Sequence, residues 1–298
     1  MSHQVNLLPL GTTGHHGNIF THPVNVNVHI RACQAPDRGL GLFASQRLSK
    51  GLKILSEEPL LIAESRDDMV DDVNQDFNNL LPAQKALLTR CYAGRYDMVP
   101  LMTIEHVRAQ QSTAAYRLQM IAQLNSHEGA GIGCILSPAL ATINHECIPN
   151  TYAYYNHETG LVALHALRDI QPYEELTISY LQDNQFACHC AVCFPGSELR
   201  PASDARRTTM QVLRREVTSY YSLPSPTEEE TVAAIAKLRE LIGVMEEEGL
   251  MGLERPLCIA EQARLQGVLG DEEGQQLTHR RAMIARRLCI GAEHPSCR

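Results

Sequence analysis

The feature that most restricts what this chain can fold into is a knot of thiols: the run FACHCAVC puts Cys188, Cys190 and Cys193 within six residues. A C-x-C-x-x-C spacing lets three thiolates face one tetrahedral ion at about 2.3 Å each, and a closed structural zinc site wants a fourth ligand. The run itself offers only His189, whose neighbours on both sides already point to the metal. A distant cysteine is the expected fourth ligand, so the fold must return a remote segment to this loop. Cys33, Cys91, Cys134, Cys258, Cys289 and Cys297 lack any partner spacing and read as core or surface thiols.

Metal is favoured over disulfide by the expected compartment. No stretch approaches the roughly 18 to 20 continuous apolar residues of a membrane span. The opening MSHQVNLLPLGTTGHHGN has no charged segment followed by an apolar run, as a secretory signal would. The chain is expected to be intracellular, in the nucleus or cytoplasm, where thiols stay reduced. A net charge of -8 and a pI near 5.9 argue against direct nucleic-acid binding through a basic face and against a polybasic membrane anchor. The same mild acidity suits basic, lysine-rich substrates.

At 298 residues the chain suits one large domain or two modest ones. Residues 1–22, rich in Gly, Thr, His and Asn without a period, read as a flexible arm. Val24, Val26, Val28 and Ile30 then alternate with polar residues as a strand does. Short apolar strands broken by Gly39, Gly41, Gly51 and Pro59 follow. Residues 65–125 read as a helical insertion, led by an acidic stretch, 67–76, taken as a solvated loop. Strand patterning returns from Gly129 to Tyr180. Beyond the cysteines, 203–221, 228–248, 254–269 and 271–289 have amphipathic helical spacing, with starts expected at Ser203-Asp204 and at Thr227-Glu228-Glu229-Glu230. The last two are expected to form a hairpin of tetratricopeptide type.

Four elements stand in one order. Arg38-Gly39-Leu40-Gly41-Leu42-Phe43-Ala44 comes first, then Asn144-His145-Glu146-Cys147-Ile148-Pro149-Asn150, then Glu174-Glu175-Leu176 with Tyr180, then the three cysteines. This order resembles the SET-domain family, whose motifs are G-x-G-L-x-A, N-H-S-C-x-P-N, G-E-E-L-x-x-x-Y and C-x-C-x-x-C. The resemblance is good over residues 24–210 and reaches to the SET-and-MYND group and fungal SET proteins. Residues 203–207, SDARR, resemble a common fungal continuation. The MYND finger is missing, since residues 65–125 hold only Cys91.

The resemblance implies an α+β fold: a SET-domain β-fold with a pseudoknot over residues 23–195, the helical insertion 65–125, a zinc-bound post-SET segment 182–195, and an α-helical C-terminal region 196–298. It implies S-adenosylmethionine (SAM) as cofactor. Asn144 and His145 resemble residues that meet SAM, and Arg38, Gly39 and Leu40 resemble upstream contacts. Asn125 matches a further contact, and Phe186 resembles an aromatic packed on adenine. Cys147 resembles the fourth ligand of a Zn²⁺ site with Cys188, Cys190 and Cys193. Tyr180 resembles the catalytic tyrosine, which also lies against the cofactor. Glu174 and Glu175 are expected to hydrogen-bond backbone near the pseudoknot, and His165 reads as a core or edge histidine.

Three positions depart from the pattern. Glu146 replaces Ser, Tyr173 replaces Gly, and only seven residues separate Tyr180 from Cys188. A tyrosine at 173 costs about 1–2 kcal/mol if that turn needs a positive φ. The leading expectation is a SAM-dependent methyltransferase acting on lysine-bearing protein, histones among the candidates, with a helical C-terminal region that can also bind protein. The alternatives are a noncatalytic SET scaffold and a SET fold turned to a small molecule.

Overall fold

The computed structural model describes residues 28–33, 39–89, 91, 114–129, 133–180, 188 and 190–297. The expected arm, Arg38 and Phe186 lie outside them.

Four small sheets build the N-terminal half. Strand β1 (Val28–Ala32) pairs antiparallel with β2 (Leu40–Ala44). Strand β3 (Lys53–Glu57) pairs with β9 (Leu161–Ala166), which also pairs with β8 (Thr151–Asn156). In the third sheet β6 (Gly133–Leu136) lies between β4 (Leu61–Ala63) and β5 (Ser126–Gly129). The fourth sheet is two residues wide and parallel: β10 (Thr177–Ile178) lies beside β7 (Asn144–His145). The core between the sheets is branched and dense, with Leu42, Leu48, Ile54, Leu140, Ile143, Leu164 and Ile170 buried. Each such side chain stabilises the fold by about 1.5–3 kcal/mol relative to exposure.

The short parallel pair is the pseudoknot. Residues 173–176 first run beside β2, with the Tyr173 N–H donating to Ala44 O, Ala44 N–H to Glu174 O, and Leu176 N–H to Leu42 O. The same segment then continues as β10 beside β7. Asn150 locks the thread: its Nδ2 donates to Glu175 O at 2.7 Å and its Oδ1 accepts Thr177 N–H at 2.8 Å. Thr151 Oγ1 donates to Thr177 O at 2.7 Å. A 3₁₀ turn, Leu140–Thr142, delivers the chain to β7. Its N-terminal end is held from β3 by Glu57, whose Oε1 accepts Ala139 N–H at 2.8 Å and the Ser137 hydroxyl. Burial pushes the Glu57 carboxyl up to about 7, against the opposing pull of these two donors.

The insertion is helical as read, with one correction. The acidic stretch is no loop but most of α1 (Arg66–Asn79). Ser65 caps it by accepting Asp68 N–H, Asp67 and Asp68 suit the positive N-terminal end, and Met69 and Val73 are buried one turn apart. Helices α2 (Pro82–Leu88) and α3 (Ala114–Asn125) follow.

Four helices complete the chain: α4 (Arg200–Tyr221), α5 (Glu228–Glu248), α6 (Glu254–Val268) and α7 (Glu272–Ile290). Thr227 and Glu230 form the expected capping box at the start of α5. Ser203, by contrast, does not start α4. The helix begins at Arg200, with Pro201 in its first turn, and Ser203 is buried inside it. Its hydroxyl is drawn to Glu248 on α5, not to the N–H groups of its own helix. Helices α6 and α7 pack as a hairpin, and α7 lies on β8 and β9. There Cys289, Ile290 and Cys297 bury against Leu167, Tyr152 and Tyr154. His165 sits in this seam as a core histidine, Nδ1 at 3.4 Å from Gly51 O.

Candidate active site and metal centre

Two clusters flank the pseudoknot. The first joins four segments around the Asn144 amide. Its Nδ2 donates to Glu175 Oε1 at 2.7 Å and Leu40 O at 3.0 Å, and lies 3.2 Å from Cys33 Sγ. The Cys33 thiol donates in turn to Glu175 Oε1 at 3.3 Å. Gly41 lets these groups converge, because a Cβ there would stand 2.6 Å from Glu175 Oε1 and 2.8 Å from Cys33 Sγ. Gly39 serves differently, turning the chain at φ 62° so that its carbonyl accepts Cys33 N–H at 2.8 Å. Leu40 is half exposed beside this cluster.

Tyr180 forms the other side. Its hydroxyl donates to Ile143 O, and its N–H donates to His145 Nδ1 at 2.9 Å. The ring packs between His145 and His127, with centroid separations of 5.4 and 5.5 Å. Burial, aided by the Arg66 charge, lowers His127 to about 4, so it is neutral at physiological pH. Asn125 ends the helix that precedes β5. It is buried, and its Nδ2 donates to Ile121 O at 2.8 Å.

The second cluster is the four thiols. The ligand atoms of Cys147, Cys188, Cys190 and Cys193 lie within 4.8 Å of one another. Cys147 Sγ is 3.8 Å from Cys188 Sγ and 3.5 Å from Cys193 Sγ. Thiolates at about 2.3 Å from a tetrahedral ion stand about 3.8 Å apart, so these four sulfurs are grouped closely enough to hold one metal ion. Burial of Cys190 opposes its ionisation, but surrounding N–H groups, that of Cys147 foremost, bring it down to about 7. Burial and its thiol neighbours push Cys188 up to about 11.

The two clusters touch through His145. An N–H can only donate, so Nδ1 accepts from Tyr180 and the ring proton sits on Nε2, 3.4 Å from Cys147 Sγ. On the other flank Arg207 Nη2 donates to Cys147 O at 2.9 Å. Arg207 is itself held at 2.8 Å by Glu248, whose side chain is fully buried and also binds Arg206 and Ser203.

Residues 39–181 match the family model described as the SET domain. Residues 39–181 form a SET domain. Among curated proteins, this chain is 23% identical over 254 residues to the histone-lysine N-methyltransferase set5 of Schizosaccharomyces pombe, covering 80% of this chain and 72% of that protein. Among solved structures, Rubisco LSMT bound to AdoMet aligns over 89% of each chain at 13% identity, with a TM-score of 0.33. An active polycomb repressive complex 2 in its stimulated state aligns over 89% of this chain and 32% of that one at 13% identity, with a TM-score of 0.34.

The SET fold thus brings Gly39, Leu40, Asn144, His145 and Tyr180 to one face of the pseudoknot, and the four expected thiols to the next. Glu174 is the structural carboxylate expected, binding Gln171 N–H, Asn150 Nδ2 and Arg168. Glu175 is not, since its side chain turns to Asn144. Cys33, His127, Asn150 and the Arg207–Glu248 pair were not legible as site residues. Asn150 alone carried a signal, as the closing residue of the N-H-x-C-x-P-N motif.

Proposed function

We propose that this chain is a SAM-dependent methyltransferase acting on protein lysine. The observation that carries the reading is Tyr180: its hydroxyl is anchored on Ile143 O and its ring packs against His145, at the pseudoknot strand that also carries Asn144. The S. pombe relative, by its name a histone-lysine methyltransferase, supports the substrate class.

When bound, SAM supplies an electrophilic methyl group on a sulfonium. The chain's part is to bind and orient. Asn144 and the backbone of His145 would hold the cofactor, with Gly39 and Leu40 on its flank, and the bare Cα of Gly41 leaves room for the amide cluster behind it. A lysine amine, with an ordinary pKa near 10.4, must arrive neutral to attack. The Tyr180 oxygen would accept an amine N–H and leave the nitrogen lone pair directed along the line of transfer. Such positioning contributes several kcal/mol without a proton being moved by the tyrosine. The His127 ring, held neutral by burial, adds no positive charge beside Tyr180 where the amine would arrive. Zn²⁺ would be held by Cys147, Cys188, Cys190 and Cys193, fixing the loop that follows Tyr180 to the motif that carries Asn144.

Two of the three departures leave this arrangement in place: the Glu146 N–H donates to Ile178 O at 3.0 Å, keeping the pseudoknot closed, and Tyr173 keeps its turn. Calorimetry of SAM on zinc-loaded protein, with Asn144→Ala as control, should show micromolar binding that the variant loses. Labelled SAM should then mark histone lysines, and Tyr180→Phe should cut the rate about 100-fold through lost positioning. Label on small metabolites alone would reassign the substrate. A folded protein that binds no SAM would leave a scaffold.

A further inference from the structure

The amide cluster contains more than a binding residue. The Asn144 nitrogen carries two hydrogens, and three acceptors stand around it: Glu175 Oε1 at 2.7 Å, Leu40 O at 3.0 Å and Cys33 Sγ at 3.2 Å. A carboxylate and a carbonyl can only accept, so this end of the amide is the nitrogen on chemical grounds. The amide is thereby fixed with its oxygen turned the other way, where Oδ1 takes no hydrogen bond from any described residue. The group left facing outward is a bare acceptor.

From this we infer that Glu175 is a positioning residue for cofactor binding: it locks the Asn144 amide with Oδ1 presented to the α-ammonium of the cofactor's amino-acid end. The inference rests on the SAM reading and deepens it. Three further observations fit. The Glu175–Asn144 contact is the shortest and only charged one of the three, and charge-assisted bonds are about twice as strong as neutral ones. Cys33 donates its thiol hydrogen to the same carboxylate oxygen, restraining Glu175 in turn. Position 41 must also be glycine for the approach, since any Cβ would collide with that oxygen. Gly41 has no positive φ among the described glycines that do, so space, not backbone freedom, is what its lack of a side chain provides.

The role separates cleanly from a merely structural one. A free amide would expose its NH₂ group to the ammonium half the time and repel it, whereas ligands without an amino-acid end would not sense the change. Calorimetry on the full zinc-loaded chain would compare S-adenosylhomocysteine with 5′-methylthioadenosine, which shares the adenosine and thioether only. Glu175→Ala should weaken S-adenosylhomocysteine about tenfold and leave 5′-methylthioadenosine unchanged. Glu175→Gln, which can still offer an oxygen to Asn144, should recover most of the loss. The double variant Asn144→Ala with Glu175→Ala should bind no more weakly than Asn144→Ala alone, because Glu175 acts only through that amide. Equal weakening of both ligands, additive losses in the double variant, or no change in Glu175→Ala would each overturn the inference. Wild-type protein that binds neither ligand would instead defeat the cofactor reading on which it stands.

Discussion

Tyr173 shows how a single residue can hold a conformation that its own side chain disfavours. Its φ is 67°, and it is the only non-glycine with positive φ among the described residues. The turn survives because its backbone is claimed twice: its N–H donates to Ala44 O at 2.7 Å, and its carbonyl accepts Arg31 Nη2 at 2.9 Å. Arg31 is itself stacked over the Phe43 ring at 3.9 Å. Tyr173→Gly should therefore stabilise the protein, by about 0.5–1 kcal/mol once the extra freedom of unfolded glycine and the lost contact with His29 are counted. Urea unfolding would measure it, and a destabilised variant would show that the ring contact outweighs the strain. The strain was legible, because a motif that ordinarily has glycine there names the φ it needs. The Glu175 side chain was not. Which neighbour a side chain meets depends on the register of a threaded segment, and adjacent glutamates give no sign of which one faces in.

At the scale of elements, the pseudoknot depends on small supports that sequence periodicity does not reveal. The 3₁₀ turn before β7 hangs on Glu57, a residue of the opposite sheet, through Ser137 and Ala139. Its folded pKa of about 7 lies above its unfolded value of 4.5, so between these pH values the native state binds the extra proton. Stability supplied by the protonated carboxyl is full below about 4.5 and falls as pH rises toward 7, by about 1–3 kcal/mol in all. Glu57→Gln keeps the acceptor oxygen without the charge, and should flatten the loss of stability between pH 5 and 7 in denaturant titrations. An unchanged slope would assign that pH dependence to other groups. The helices, by contrast, were legible to within a few residues, because long amphipathic segments carry their own period. The acidic helix α1 reads as a loop because its apolar face, Met69, Val70, Val73 and Phe77, is set among five Asp and three Asn.

Over the whole molecule, the C-terminal helices pack against the strands and reach the thiol cluster. They bury the β8–β9 face through α7, and they reach the thiol cluster through Arg207. Glu248 is the hinge of that second contact, and two arginines and Ser203 keep its carboxylate charged despite its burial. Breaking a buried ion pair from one side costs about 3–5 kcal/mol. Glu248→Ala should lower stability by about that much and release zinc several-fold faster to a chromophoric chelator. Arg207→Lys, which keeps the charge but not the forked geometry, should speed release with a smaller loss of stability. Zinc release at the wild-type rate in both would separate the helices from the metal site. The SDARR run was legible only as a resemblance to a fungal continuation; its physical sense appears once Glu248, more than forty residues on, closes over it.

That last contact also orders events in time. Cys147 leaves a ribosome long before Arg207, and Arg207 before Glu248, so the segment that carries Asn144 and Cys147 waits on chain not yet made. The strand that threads beside β2 and β7 likewise joins segments more than a hundred residues apart in sequence. Contacts of such range fold slowly and late. A nascent chain of this protein would hold its helices and hairpins early, and its site would be completed only after synthesis has passed residue 248.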